Sequence, residues 1–269
     1  MLENQLTLVI SSCDRFSDLW ETSLMFLQKN WGNRGIRTIL LTDKPTSYTH
    51  EGVEVYCAGE GLEYPQRMKA LLGTISTEDI LVTLDDYFLI QPVENERIQR
   101  LLSVMDTEKI DYIRMFADPD SNVGFKEYHD LYQIDLNENY AVNLYQSIWR
   151  ASFLSATLKD SISIWNYEVS LSRTAKRLCS LCVLSKGGEF EILDVIRKGK
   201  ILHKAKRYLK RQHIELENRS VLPYRIEFKN GLFDFGRKIL PDSAARRVKA
   251  VLRRCGVKFI SDYETEDEQ

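Results

Sequence analysis

No stretch of this 269-residue chain reaches about 18 uninterrupted apolar residues, so no segment reads as a membrane span and any membrane contact is expected to be peripheral. The N-terminus lacks a basic region followed by a long apolar one, which reads against a secretory leader. The five cysteines (Cys13, Cys57, Cys179, Cys182, Cys255) are odd in number and without framework spacing, so a disulfide scaffold is not expected and the chain reads as cytoplasmic. Cys179 and Cys182 do form a CxxC. With no second pair and no neighbouring histidine, both are expected in the core rather than on zinc. The histidines (His50, His129, His203, His213) make no ligand motif, and no glycine-rich phosphate loop follows the first apolar run, where ISSCDRF stands instead. Internal repeats and low-complexity tracts are also missing.

What is present is apolar content of 43%, enough for one large domain, or one domain with a small appendage, around an ample core. The formal net charge of -2 conceals a partition. Residues 1–196 hold 18 Lys and Arg against 29 Asp and Glu; residues 197–258 hold 19 against 5; the last eleven hold none against 5. A basic segment of this kind is expected to meet an anionic surface: lipid headgroups, nucleic acid or the acidic remainder of the same chain. The sum alone does not choose between them.

Along the chain, QLTLVISSC (5–13) is a short apolar run rich in β-formers and reads as a buried strand. Phe16, Leu19, Trp20, Ser23, Leu24, Leu27 and Trp31 follow at helical spacing and stop at Gly32. GIRTILLTD, ending at Asp43, and VEVYCAG (53–59) read as further strands. Met68, Leu71, Leu72 and Ile75 mark another helix, and DILVTL the next strand. This alternation predicts an open α/β sheet with helices on its faces, where ligands collect at the carboxyl ends of the strands. Beyond it, Ile98, Leu101, Leu102 and Met105 mark a helix and DYIRMF a strand. Residues 117–140 read as a loop or a hairpin over the site, 141–158 begin strand-like and turn helical, and a helix runs from about Asn166 with Glu168 in its first turn.

The adjacent carboxylates Asp85 and Asp86 stand at the end of the DILVTL strand and precede Tyr87 and Phe88, which read as an aromatic platform. Two side-by-side carboxylates repel one another, a cost most easily tolerated when a divalent cation or a hydrogen-bonding ligand lies between them. Hard oxygen donors suit Mg²⁺ or Mn²⁺, which could neutralise a diphosphate leaving group; the alternative is a solvated acidic turn.

The order LTLVISSCDRF, RTILLTD, YPQRMKALLGTISTEDILVTLDDYFL, NLYQSIWRASFL and IWNYE resembles bacterial GT-A-type glycosyltransferases of surface-polysaccharide gene clusters, over roughly residues 5–200. The resemblance implies a GT-A-like, single Rossmann-type α/β domain with a mostly parallel central sheet flanked by helices at 1–200. A basic, largely helical extension would follow at 201–258 and an acidic tail at 259–269. LDDYF resembles a local form of the DxD motif, with Tyr87 where a third-position Asp could stand. That implies Asp85 and Asp86 as metal ligands and Asp85 and Tyr87 as donor contacts, with Mn²⁺ or Mg²⁺ as the cation.

Further roles follow from the same resemblance. Ser11, Ser12, Cys13 and Asp14 would cradle the nucleotide, Asp14 having helix capping as its alternative. Asp43 and Arg67 would join them, against the commoner readings of a turn aspartate and a solvated helix face. Glu168 would be the general base of an inverting transfer, or a glutamate that only stabilises its own helix. Trp149, Arg150 and Trp165 would line the sugar and acceptor pocket, against core positions for the tryptophans.

The expected function is transfer of a sugar from a nucleotide-diphosphate sugar to a hydroxyl of a lipid-linked saccharide acceptor, at the inner face of the cell membrane. Residues 241–255 read as an amphipathic cationic helix suited to an anionic leaflet or to packing on the catalytic domain. A nucleic-acid partner is not expected, since the basic segment lacks interleaved stacking aromatics and any recognition-helix motif. The alternatives are a nucleotidyltransferase that forms sugar nucleotides and a non-catalytic carbohydrate-binding or scaffold protein on the same fold.

Overall fold

The computed structural model describes residues 2–159, 162–216 and 219–224; the expected amphipathic helix at 241–255 and the acidic tail lie outside these. The chain divides into two units, 1–195 with 214–218 and 196–213 with 219–269.

The first unit opens with β1 (Leu6–Ser11), α1 (Ser17–Trp31), β2 (Thr38–Thr42), β3 (Glu54–Cys57), α2 (Tyr64–Leu72) and β4 (Asp79–Leu84). It continues through β5 (Tyr87–Leu89), α3 (Asn95–Glu108), β6 (Tyr112–Arg114), β7 (Gly124–Phe125) and β8 (Tyr128–Gln133). It closes with β9 (Ser147–Arg150), α4 (Ala151–Thr157), α5 (Ile164–Arg177), β10 (Cys182–Ser185) and β11 (Ile192–Asp194). The second unit holds β12 (Ile196–Arg197), β13 (Lys200–Ile201) and α6 (His203–Arg211).

Nine strands form one sheet in the order β3-β2-β1-β4-β9-β6-β10-β8-β7. The strands β3, β2, β1, β4, β6 and β10 all run one way, while β9 and β8 run against them. Burial explains why β1 reads as an unbroken apolar run: all six of its residues are buried, because helices cover both faces. The two-residue period then divides its side chains. Leu8 and Ile10 pack with Trp20, Leu24 and Trp31 of α1 and Ile98, Leu101 and Met105 of α3. Val9 turns to the other face, with Met68 and Leu71 of α2 and Tyr167 and Leu171 of α5.

Local chemistry sets the helix starts. Pro65 stands in the first turn of α2, where its missing N–H costs nothing, and the Gln66 side chain reaches back to accept the Glu63 N–H at 3.0 Å. Ser163 caps α5 by accepting from the Asn166 N–H at 3.3 Å. That cap starts the helix at Ile164, two residues before the position the sequence suggested, and so moves Glu168 out of the first turn. Within the segment expected as a loop or a hairpin over the site, the β7–β8 hairpin does form, and it extends the sheet edge beside β10. Of the CxxC cysteines, Cys182 is buried in β10 as expected, but Cys179 is exposed at a left-handed backbone position after α5.

Candidate active site

Because β2, β1 and β4 are parallel neighbours, their carboxyl ends lie along one rim of the sheet. Ser11 is aligned with Leu41 and with Leu84, so Ser12 to Asp14, Asp43 and the Asp85–Asp86 turn emerge side by side. Hydrogen bonds fix this rim. Ser12 Oγ donates to Asp85 Oδ2 and accepts from Trp20 Nε1 at 2.6 Å. The Asp14 N–H donates to Asp43 Oδ1 at 2.6 Å. The Asp14 side chain makes no capping bond; it lies 3.6 Å from Lys44 in a pair about half exposed on both sides, and such pairs contribute little.

Arg67 reaches the same rim from α2, donating through Nη1 to the Ser12 carbonyl at 2.6 Å. Its Nε is shielded and meets no protein acceptor. A guanidinium held by one edge with a donor left over is suited to an anion. Burial pushes the Cys13 thiol upward, Asp85 and Asp43 push it further, and Arg67 opposes them, which places these four groups in one electrostatic neighbourhood.

The acid pair divides. Asp85 is buried and tied to Ser12, whereas Asp86 is half-buried. Tyr87 turns toward the site and stacks on Tyr145 with ring centroids 5.7 Å apart. Phe88 does not complete the expected platform: period-two alternation sends it into the core, stacked on Phe26.

Behind Asp86, β11 pairs antiparallel with β5, setting Asp194 opposite Tyr87, and the Val195 N–H donates to the Asp86 carbonyl at 3.0 Å. Burial first, then Tyr145, Asp86, Asp194 and Glu168, raise the Tyr87 hydroxyl's pKa, so these carboxylates act on one point. Asp194 was not singled out in the sequence. Its only signal is an aspartate closing the apolar pair of ILDV next to the basic segment.

Glu168 lies in the second turn of α5. Rather than serve its own helix end, its Oε1 accepts from the Leu144 N–H at 3.2 Å. Burial raises its pKa and that hydrogen bond counters only in part. Trp165, three residues earlier and therefore on the same side of α5, is 68% exposed.

Two expected pocket residues lie elsewhere. Trp149 is fully buried, edge-on to Tyr112 at 4.6 Å and stacked on Phe153 at 5.7 Å, so it is a core residue. Arg150 is paired in register with Asp79, the first residue of β4, and so stands at the opposite end of the sheet from Asp85. There its guanidinium meets Asp106 at 2.9 Å and Asp79 at 3.1 Å. The physical reason is that β9 runs antiparallel to β4, so its last residues return to the amino end.

Among the described residues no three His, Cys, Asp or Glu side chains gather as a self-sufficient metal site. A Mg²⁺-like ion needs fewer, since it takes one or two carboxylates and completes its shell with phosphate oxygens and water. Asp86 and Asp194 are hard oxygen donors that both act on the Tyr87 hydroxyl, and that donor chemistry suits such an ion.

The architecture is that of an open α/β sheet, a class in which ligands bind at the carboxyl ends of the strands, and here acidic, cationic and aromatic groups stand at that rim. No family model matches the chain, and no curated protein matches it. Among solved structures, S. aureus TarS 1-349 in complex with UDP-GlcNAc aligns with a TM-score of 0.51 at 12% identity, over 73% of this chain and 60% of that one. The mannosyltransferase PcManGT from Pyrobaculum calidifontis, in complex with GDP-Man and Mn²⁺, gives 0.48 at 9% identity, over 98% and 84%. A UDP-glucose pyrophosphorylase complexed with UDP-glucose gives 0.42 at 9%, over 70% and 92%. The chain thus spans 60% of the length of the TarS fragment. At such identities the likeness is one of fold, and the fold is GT-A-like: a mostly parallel central sheet flanked by helices.

Proposed function

We propose that the protein is a glycosyltransferase that moves a sugar from a nucleotide-diphosphate sugar to a hydroxyl of a lipid-linked saccharide in surface-polysaccharide assembly. The observation that supports this reading is the rim itself, where Arg67, Asp85 and Asp43 surround Cys13 and Asp86, Asp194 and Glu168 all act on the Tyr87 hydroxyl. Ser11, Cys13, Asp14 and Asp43 would receive the nucleotide. Arg67 would supply positive charge beside the diphosphate from its place at the Ser12 carbonyl. Asp85, locked by Ser12, would set the turn, leaving Asp86 and Asp194 to hold a divalent cation. When bound, that cation would neutralise charge developing on the leaving diphosphate. Glu168, its pKa raised, would take the proton of the acceptor hydroxyl as its oxygen attacks the anomeric carbon, and Trp165 would offer a ring face to acceptor C–H groups.

A thermal-shift panel of nucleoside diphosphates with and without Mn²⁺ tests this, because a ligand that binds only the native state raises its apparent stability. One diphosphate should stabilise the protein more with Mn²⁺ present, and Asp86→Asn should remove the metal-dependent part. Absence of any diphosphate-dependent shift would refute the reading. The reaction product separates it from nucleotidyl transfer: a glycosyltransferase releases the nucleoside diphosphate, a nucleotidyltransferase inorganic pyrophosphate.

A further inference from the structure

The second unit carries a surface that the transfer chemistry does not use. Residues 196–213 include Arg197, Lys198, Lys200, Lys204, Lys206, Arg207, Lys210 and Arg211, without one Asp or Glu. Five of these lie on α6, and all five are exposed, while Ala205 and Leu209 are buried. At roughly 100° per residue, Ala205 and Leu209 mark one side of the helix, and the five cations fill an arc of about 160° centred on the other. Among the described residues none of the five has an acidic partner. The β12–β13 turn adds exposed Lys198.

We infer that the exposed arc of α6, formed by Lys204, Lys206, Arg207, Lys210 and Arg211, docks the protein on an anionic lipid leaflet. The apolar side of the helix is buried, so no stripe remains for insertion or for the dry centre of a protein interface. The arc holds no Asn or Gln side chain to read base edges, and its one aromatic residue, His203, is half-buried and already engaged edge-on by Tyr224 at 4.9 Å. What it offers is diffuse positive charge along one flat side, and anionic headgroups, which rearrange laterally, complement it. Choosing lipid over another polyanion rests on the transferase reading, whose acceptor is lipid-borne.

The test is co-sedimentation of the full-length chain with phosphatidylcholine vesicles and with vesicles in which part of that lipid is replaced by phosphatidylglycerol. Wild type should bind only the latter and be released by salt. The variant Lys204→Glu, Arg207→Glu, Lys210→Glu, Arg211→Glu should bind more weakly by a factor on the order of 10² to 10³. Circular dichroism and a Lys/Arg→Gln version of the same variant control for folding, and the Gln version should show an intermediate loss. The inference is overturned if wild type ignores anionic vesicles, if the folded variants bind as well as wild type (so that another segment does the docking), or if duplex DNA or RNA displaces the vesicles at equal charge. Diphosphate-induced stabilisation should be the same in variant and wild type, so failure here would leave the transferase reading standing.

Discussion

At the residue scale, neighbouring side chains with the same chemistry have different tasks. Asp85 and Asp86 are adjacent carboxylates, yet Ser12, itself held by the Trp20 indole, engages the first and leaves the second beside Tyr87. Glu168 differs from both because its burial opposes ionisation more than the Leu144 N–H favours it. A general base works only when deprotonated, so kcat/KM should rise with pH through an inflection above the ordinary glutamate value of roughly 4.3 and then level. Glu168→Gln should lower kcat by about 10²- to 10⁴-fold, abolish that inflection and leave diphosphate binding intact. Steady-state pH profiles and the thermal-shift panel together check this, and a flat wild-type profile would remove Glu168 from the role.

At the scale of elements, strand direction decides which residues share a rim. The parallel β2, β1 and β4 gather acidic groups at one end, while antiparallel β9 delivers Arg150 to the other. At that far end two effects compete on Asp79. Its carboxyl is 2% exposed, and Arg150 at 3.1 Å favours the charged form but is shared with Asp106 and Glu78. Desolvation wins, and the Asp79 pKa is pushed up to about 7. A folded pKa above the unfolded value, roughly 3.9, means that the stabilisation is complete below the unfolded value and lost as pH rises toward the folded one. The Tm advantage of wild type over Asp79→Asn should therefore shrink between about pH 4 and pH 7. Scanning calorimetry across that window checks it, and a constant difference would show that Asp79 stays ionised beside Arg150.

On the whole-molecule scale, no helix among the described residues is long and apolar enough to cross a membrane. The acidic stretch 1–196 carries the rim and the basic stretch 197–258 carries α6, so on the proposed reading substrate chemistry and docking would fall in stretches of opposite charge. Confining enzyme and acceptor to one leaflet raises their effective concentration. Turnover of a lipid-linked saccharide should thus be faster in anionic than in neutral vesicles. The α6 charge-reversal variant should lose that gain while transferring normally to a water-soluble acceptor. A rate independent of vesicle charge would argue against the coupling.

The order of strands and helices was legible because its signal is local: β1 is apolar throughout since both its faces are covered, and α1 repeats its apolar residues at the helical period. The rim residues Ser11 to Asp14, Asp43, Arg67 and Asp85 to Tyr87 were legible for the same reason, standing where apolar runs end or on the helix before one. Tertiary structure alone decided that Trp149 is core, that Arg150 points to the wrong end, that Phe88 turns inward, and that Asp194 comes from about a hundred residues downstream to face Tyr87. Periodicity records which side of an element is apolar. The direction of a strand within the sheet, and the partner it finds there, depend on packing between distant segments, which leaves no periodic trace in either one.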